Sequence, residues 1–335
     1  DYKFPKELIA QKPASPRDSA RLLIYDKRKN KIYHDKFSNI TEYLPNNSVL
    51  VLNQTKVLPA RLIVKKPTGG KVKILYIETI NNQIKVMSDR KVILKSKLKL
   101  NDKISFRVIW QKENFYFLKP LFPIKNLYSI LEKYGQTPLP PYIKNSLLSE
   151  KEIKNEYQSI FARIKGSVAA PTASLHFTKG LIQKIKKSGH KIEFITLHVN
   201  LGTFAPLTEE NIKNNKLHLE YYQINEKTLN SLNKAKELRQ PIIAVGTTVV
   251  RALESAANNG RIVKQIGSTN LFIKMGYKFK FVDGLITNFH VPKSSLLMLT
   301  AAFVSRNKIL ELYGKAIRKK YRLFSFGDGM LITNE

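Results

Sequence analysis

The 335-residue sequence predicts a mixed α/β core, of the α/β or α+β class, carrying a small inserted β-barrel-like domain. Three patterns lead there. Residues 63–120 read as strands with no helix among them, and residues 178–292 alternate helix and strand. Four apolar runs also end in clusters of small, hydroxyl and imidazole residues, as strands do where an open sheet binds ligand. The expected division is a core of residues 1–62 and 121–335 around an insert of residues 63–120.

In chain order, "FPKELIAQKP" gives one or two helical turns over residues 7–11, stopped by Pro13. "ARLLIYDKRKNKIYHDKF" reads as a hairpin that turns over residues 26–30. "NSVLVLNQTKVLPARL" is a buried strand over residues 49–52, a polar corner of Asn53, Gln54 and Thr55, and a second strand. The insert holds "LIVKK", "KVKILYIETI", "QIKVMSD", "KISFRVIW" and "NFYFLKPL", separated by Gly- and Asn-containing turns. Short strands at that spacing suit a small barrel or sandwich. Its outward positions are mostly lysine. The outline resembles nucleic-acid-binding barrels, but no aromatic run is laid out for base stacking.

Leu127–Tyr134 reads as a short helix and "GQTPLPPYIK" as a stiff extended return. "TKGLIQKIKKSG" is a helix with Leu181, Ile182 and Ile185 inward and Gly189 closing it. "KIEFITLHV" is a strand, and "NEKTLNSLNKAKELRQ" a helix capped by Asn225 or Thr228. "PIIAVG" is a buried strand, "TTVVRALESAANNG" a helix closing on Gly260, and "FVDGLITNF" a strand that leads into an apolar helix.

Composition narrows the function. Hydrophobic residues make up 43% and aromatics 10%, which is globular rather than disordered. The net charge of +33, from 58 basic against 25 acidic residues, favours polyanion partners, since each phosphate neutralised releases condensed counterions. Drift toward Lys, Asn and Ile produces the same surplus. Cysteine is absent, which excludes disulfides, thiolate catalysis and thiolate zinc sites. The six histidines (His34, His176, His190, His198, His218 and His290) form no HxH or HExxH pair, so no metal is expected. "DYKFPKELIA" lacks the apolar core of a signal peptide, and the longest apolar run, residues 296–304, is too short to span a bilayer. A cytoplasmic protein with no membrane partner is the expectation.

The chemistry concentrates at "AAPTASLHF" (169–177), "LHVNLGTF" (197–204), "AVGTTVVR" (244–251) and "LITNFHVP" (285–292). Four such ends are expected to line one crevice. Gly246, Thr247 and Thr248 join a strand to a helix, with Arg251 one turn in; free N–H groups and a guanidinium there suit an anion. A Thr-capped helix with a salt-bridged Arg reads equally well. Neither GxGxxG nor GxxxxGK[ST] occurs, which removes the Rossmann and P-loop readings. His176, His198, His218 and His290 are candidate bases, each as readily a hydrogen-bonded structural residue. Asp283 and Asp328 are turn residues or catalytic carboxylates. "KKYRLFSF" sets basic groups beside aromatics, either to contact RNA or as amphipathic packing.

These stretches, with "HLEY", "KYRLFSFGDGM", "RDSARLL", "VLNQTKVLPARL", "GQTPLPPYI" and "EYQSIFA", resemble the S-adenosylmethionine:tRNA ribosyltransferase-isomerase family of queuosine biosynthesis. The likeness runs in order from about residue 2 to 334. It implies a two-domain fold with a barrel-like insert, S-adenosylmethionine as co-substrate with no further cofactor, and a tRNA bearing 7-aminomethyl-7-deazaguanine as partner. A monomer is expected. The implied chemistry needs a base near the sulfonium, for which His198 or His290 is the candidate, and a donor or orienting group, Asp283 or Asp328. Arg251 with Gly246, Thr247 and Thr248 is expected to hold the methionine carboxylate or the ribose, and Thr287, Asn288 and His176 to face the donor. The chain departs from the family at Ser174 and Asn200, each in place of a glycine, and at Asn214-Asn215, in place of an Asp-His pair. The rivals are an S-adenosylmethionine-dependent RNA methyltransferase, which lacks its Gly-rich loop here, and a non-catalytic RNA-binding protein.

Overall fold

The computed structural model describes residues 1–144, 146–199 and 207–333. The chain opens with a 3-10 turn over Lys6–Leu8, then β1 (Arg21–Asp26) and β2 (Lys31–Lys36), then β3 (Val49–Asn53) and β4 (Thr55–Val57). Strands β5 (Arg61–Lys65), β6 (Lys71–Ile80), β7 (Gln83–Ser88), β8 (Lys97–Lys99), β9 (Ser105–Lys112) and β10 (Phe115–Pro120) follow. Next come α1 (Leu127–Tyr134), α2 (Glu150–Glu156), β11 (Ile164–Ser167), α3 (Lys179–Lys187), β12 (Lys191–Leu197), α4 (Glu209–Asn214) and β13 (Lys216–Gln223). The remainder is α5 (Glu226–Glu237), β14 (Ile242–Val245), α6 (Thr247–Ala256), the short strands β15 (Ala257–Asn258) and β16 (Arg261–Ile262), β17 (Ile266–Leu271), β18 (Gly284–Asn288), α7 (Ser295–Val304), α8 (Arg306–Arg318) and β19 (Gly329–Thr333).

One nine-stranded sheet, in the order β17-β13-β12-β3-β14-β18-β19-β1-β2, forms the core. Its central strands β12, β3, β14 and β18 run parallel, so their carboxyl ends open on one edge. Every residue of β3, β14, β18 and β19 is buried, the pattern of strands covered on both faces. Strands β5 to β10 close into a six-stranded barrel with its own core of Leu62, Val64, Ile74, Val86, Phe106, Val108 and Leu118. Alternation such as Leu62 and Val64 in with Ile63 and Lys65 out lets each strand serve that core, and closure leaves no free edge. Leu58, Leu127, Leu131 and Val168 continue the barrel core toward the sheet.

The mixed α/β core and the barrel match the sequence expectation, and the barrel's first strand begins at Arg61. Several local readings needed correction. The first helix is only the 3-10 turn that follows Pro5. Helix α6 stops at Ala256 rather than Gly260; Gly260, at φ +73°, instead makes the turn between β15 and β16. Asn225 is the α5 cap, its side chain accepting from the Thr228 N–H at 2.8 Å.

Helix α6 fixes the geometry of the sheet edge. All its residues except Ser255 are buried, two charged ones included. The Arg251 guanidinium pairs with the buried Glu220 carboxylate of β13 and donates to the Leu271 and Thr269 carbonyls of β17. The fully buried Glu254 carboxylate accepts from the N–H groups of Lys280, Phe281 and Val282 and from the Tyr277 hydroxyl, all within 3.0 Å. Those bonds fix the segment that enters β18. Glu254→Ala would strand three backbone donors inside the protein, so we expect a loss on the order of 3–5 kcal/mol in urea unfolding. A loss under about 1 kcal/mol would mean the segment is held by other contacts.

Candidate active site

A cleft lies beyond the carboxyl ends of β14 and β18, the edge where open α/β sheets bind ligands. All four sequence clusters reach it. They contribute Ala170 to Ala173, Val199, Gly246 to Thr248, and Thr287 to Val291. Tyr142, Leu296, Phe324 and Ser325 complete the wall. No Asp, Glu, Lys or Arg is among the described lining residues.

Gly246 takes φ +95°, closed to most side chains, and turns β14 directly into α6. It offers no capping side chain, so the first N–H groups of α6 point outward without an intrahelical acceptor. Beside them the buried Thr248 Oγ1 has no hydrogen-bond partner among the described residues. A buried hydroxyl without a partner costs about 1–3 kcal/mol.

On the facing strand, Thr287 Oγ1 lies 2.8 Å from His290 Nε2. The His290 backbone is pinned at both ends: its N–H donates to Tyr313 Oη at 2.9 Å and its carbonyl accepts from the Tyr2 hydroxyl. Asn288 Oδ1 accepts from Thr172 Oγ1 at 2.9 Å, while Nδ2 lies 3.2 Å from His176 Nε2. The His176 ring stacks on Phe37 behind the cleft wall. Burial brings both imidazoles down to about 3, with the Arg322 and Arg17 charges adding to the effect at His176. Both rings are therefore neutral at neutral pH.

Five expected site residues do not line the cleft: His176 lies behind its wall, and four others lie elsewhere. Arg251 is committed to Glu220 and to backbone carbonyls, one helical turn beyond the cleft. Asp283 sits at the start of β18, roughly 16 Å along the strand from its carboxyl end. There it accepts from Lys236 Nζ at 2.9 and 3.0 Å and from the Ile242 N–H. Asp328 is buried and receives the Arg21 and Arg322 N–H groups and Arg322 Nε, closing the turn before β19. His198, just past β12, bonds Thr55 Oγ1 at 2.8 Å and is not among the described residues that line the cleft.

The departures from the family pattern divide. Ser174 falls in a 3-10 turn over Thr172–His176 without a positive φ, so its backbone is unstrained, although its buried hydroxyl has no partner among the described residues. Asn215 closes α4 in the left-handed region at φ 51°, which asparagine tolerates. Asn200 lies outside the described residues.

Sequence reading missed Tyr142, Phe324 and Ser325. Phe324 holds φ +70°, an outlier for a bulky residue and a form of strain that gathers at functional sites. The turn is forced by Gly327, where a Cβ would lie 2.4 Å from the Arg322 carbonyl oxygen, and by Asp328. It aims Phe324 and Ser325 at the cleft, where the Ser325 hydroxyl meets Tyr142 Oη at 2.7 Å. "KKYRLFSF" thus packs inward: Tyr321, Leu323, Phe324 and Phe326 are all buried.

The neutral histidines set a pH dependence. Unfolded, each ring takes up a proton near its ordinary value of 6.5; folded, it does so only near 3. Acidification through that window therefore favours the unfolded chain, by on the order of 2 kcal/mol per ring at pH 5. Urea midpoints measured from pH 7.5 to 5 should fall, and His290→Gln should flatten the fall. Stability unchanged across that range would contradict neutral burial.

Comparison with known proteins agrees with this architecture. A family profile described as queuosine biosynthesis protein matches residues 1–332. The chain is 46% identical over 337 residues to a protein of Sulfurihydrogenibium sp. (strain YO3AOP1), with 99% of this chain and 98% of that one covered. It is 44% identical over 337 residues, at the same coverage, to one of Carboxydothermus hydrogenoformans. Both carry the name S-adenosylmethionine:tRNA ribosyltransferase-isomerase. The crystal structure of S-adenosylmethionine tRNA ribosyltransferase from Thermotoga maritima aligns with a TM-score of 0.57 and 33% identity over 99% of each chain. The chain thus belongs to the queuosine biosynthesis family, and within it to the S-adenosylmethionine:tRNA ribosyltransferase-isomerases, a class of enzymes.

Proposed function

We propose that the cleft binds S-adenosylmethionine and transfers its ribosyl group, with isomerisation, to 7-aminomethyl-7-deazaguanine at the wobble position of a tRNA. The products are epoxyqueuosine in the tRNA, adenine and methionine. One observation carries the reading: the cleft's chemistry complements a sulfonium zwitterion. The α6 N-terminus and the unpartnered Thr248 hydroxyl suit the methionine carboxylate. The lining holds no fixed cation, and a neutral His290 does not repel a sulfonium. Phe324 offers an apolar face for adenine. With Arg251 engaged by Glu220, the helix end and Thr248 carry the anion-binding role expected of that arginine.

The sulfonium acidifies the neighbouring C5′ protons. His290, unprotonated across the working pH range, accepts one of them with Thr287 fixing the ring. The resulting ylide expels adenine, the amine of the modified base attacks, and methionine leaves. Tyr142, whose hydroxyl burial pushes up to about 12, stays protonated and is our candidate donor to departing adenine. Asp283 and Asp328 have no part in this scheme, since their oxygens are engaged elsewhere. His198 keeps a structural role at the Thr55 corner.

Product analysis with S-adenosylmethionine and a tRNA carrying 7-aminomethyl-7-deazaguanine tests the reaction. Stoichiometric adenine and methionine are expected, whereas S-adenosylhomocysteine would identify a methyltransferase. His290→Ala should lower kcat about a hundredfold or more; near-normal turnover removes it as the base. Thr248→Val should hold or raise the melting temperature while raising the KM for S-adenosylmethionine about five- to tenfold. An unchanged KM would dissociate Thr248 from the carboxylate.

A further inference from the structure

The barrel carries an aromatic platform that the linear sequence hides. Trp110 on β9 and Phe117 on β10 are directly opposite in register. Their rings stack at 3.7 Å between centroids with 5° between planes. Phe117 is 7% exposed and lies beneath; Trp110 is 40% exposed and covers it. Gln83 Oε1 accepts from Trp110 Nε1 at 3.2 Å, which fixes the indole in its plane. On the far side of β10, Lys85 is opposite Phe117 and sets its ammonium 4.5 Å from the Phe115 ring centre.

Next to this stack, Lys97, Arg107 and Lys119 lie opposite one another across β8, β9 and β10, all three exposed. Like charges directly opposite across strands destabilise a sheet. No ion pair among the described residues relieves any of the three. A row of repelling cations beside a large, half-exposed, pre-oriented indole has little to offer folding. It complements a phosphodiester strand whose bases are free to stack.

We propose that this barrel face docks unpaired nucleotides of the RNA substrate, with one base on the free face of Trp110 and the neighbouring phosphates on Lys97, Arg107 and Lys119. The proposal rests on the reading of tRNA as the substrate and adds where a part of it away from the reacting base is held.

Trp110 is the only tryptophan in the chain, so its emission reports on this surface alone. The full-length protein is titrated with an end-labelled tRNA anticodon stem-loop, following label anisotropy and tryptophan emission together. Quenching of Trp110 in step with binding is expected. Trp110→Ala should weaken binding at least about tenfold, with the S-adenosylmethionine KM and the melting temperature unchanged. Arg107→Ala or Lys119→Ala should each reduce the salt slope of log K by about one. RNA that binds without altering Trp110 emission, and binds Trp110→Ala equally well, overturns the docking surface and leaves the tRNA reading standing. Absence of any RNA binding by anisotropy sinks both. An emission change on raising protein concentration alone assigns the face to a second copy of the chain and also overturns the proposal.

Discussion

The catalytic edge of this protein depends on how α6 disposes of the charges it buries. A fully buried helix with an arginine and a glutamate is tenable only when each ion is paired or hydrogen-bonded, because stranding either one inside the protein costs several kcal/mol. Arg251 meets this demand at Glu220 and the β17 carbonyls, and Glu254 at the backbone leading into β18. Both arrangements lock α6 against the strands on either side. The N-terminus of α6 is thereby held at the β14 edge, beside β18, where Thr287 and His290 stand. The cleft is a by-product of pairing that happens deeper in the sheet.

That division of labour explains a cleft with no fixed charge. Charged side chains are used for architecture, and the described cleft lining presents backbone N–H groups, hydroxyls, an amide and a neutral imidazole. Preorganised dipoles of this kind act strongly in a site shielded from water. They also avoid a fixed cation beside a sulfonium. Phe324 on the opposite wall is held by a strained turn and packs against Tyr142.

Much of this was legible before any coordinates. Buried strands betray themselves as continuous apolar runs, and the polar residues that end those runs identified the cleft-lining Thr247, Thr248, Thr287, Asn288 and His290. Other features were hidden because they depend on partners distant in sequence. Whether Arg251 faces a ligand or Glu220 is decided by a strand 31 residues away. Asp283 and Asp328 look alike on paper, yet one occupies the wrong end of its strand and the other closes a turn. Trp110 and Phe117 become a platform only through hairpin register, and Phe324 reaches the cleft only because Gly327 and Asp328 force its backbone.

The central claim is that the methionine carboxylate is held by the α6 N-terminus without a side-chain cation. Calorimetric titration of the protein with S-adenosylmethionine and with its decarboxylated counterpart tests it most directly. The account predicts at least about tenfold weaker binding of the decarboxylated ligand, and a gap that barely changes between low and high salt because the site is buried. Equal affinities, or a gap that high salt abolishes, would contradict it and move the carboxylate to an exposed cation outside the cleft.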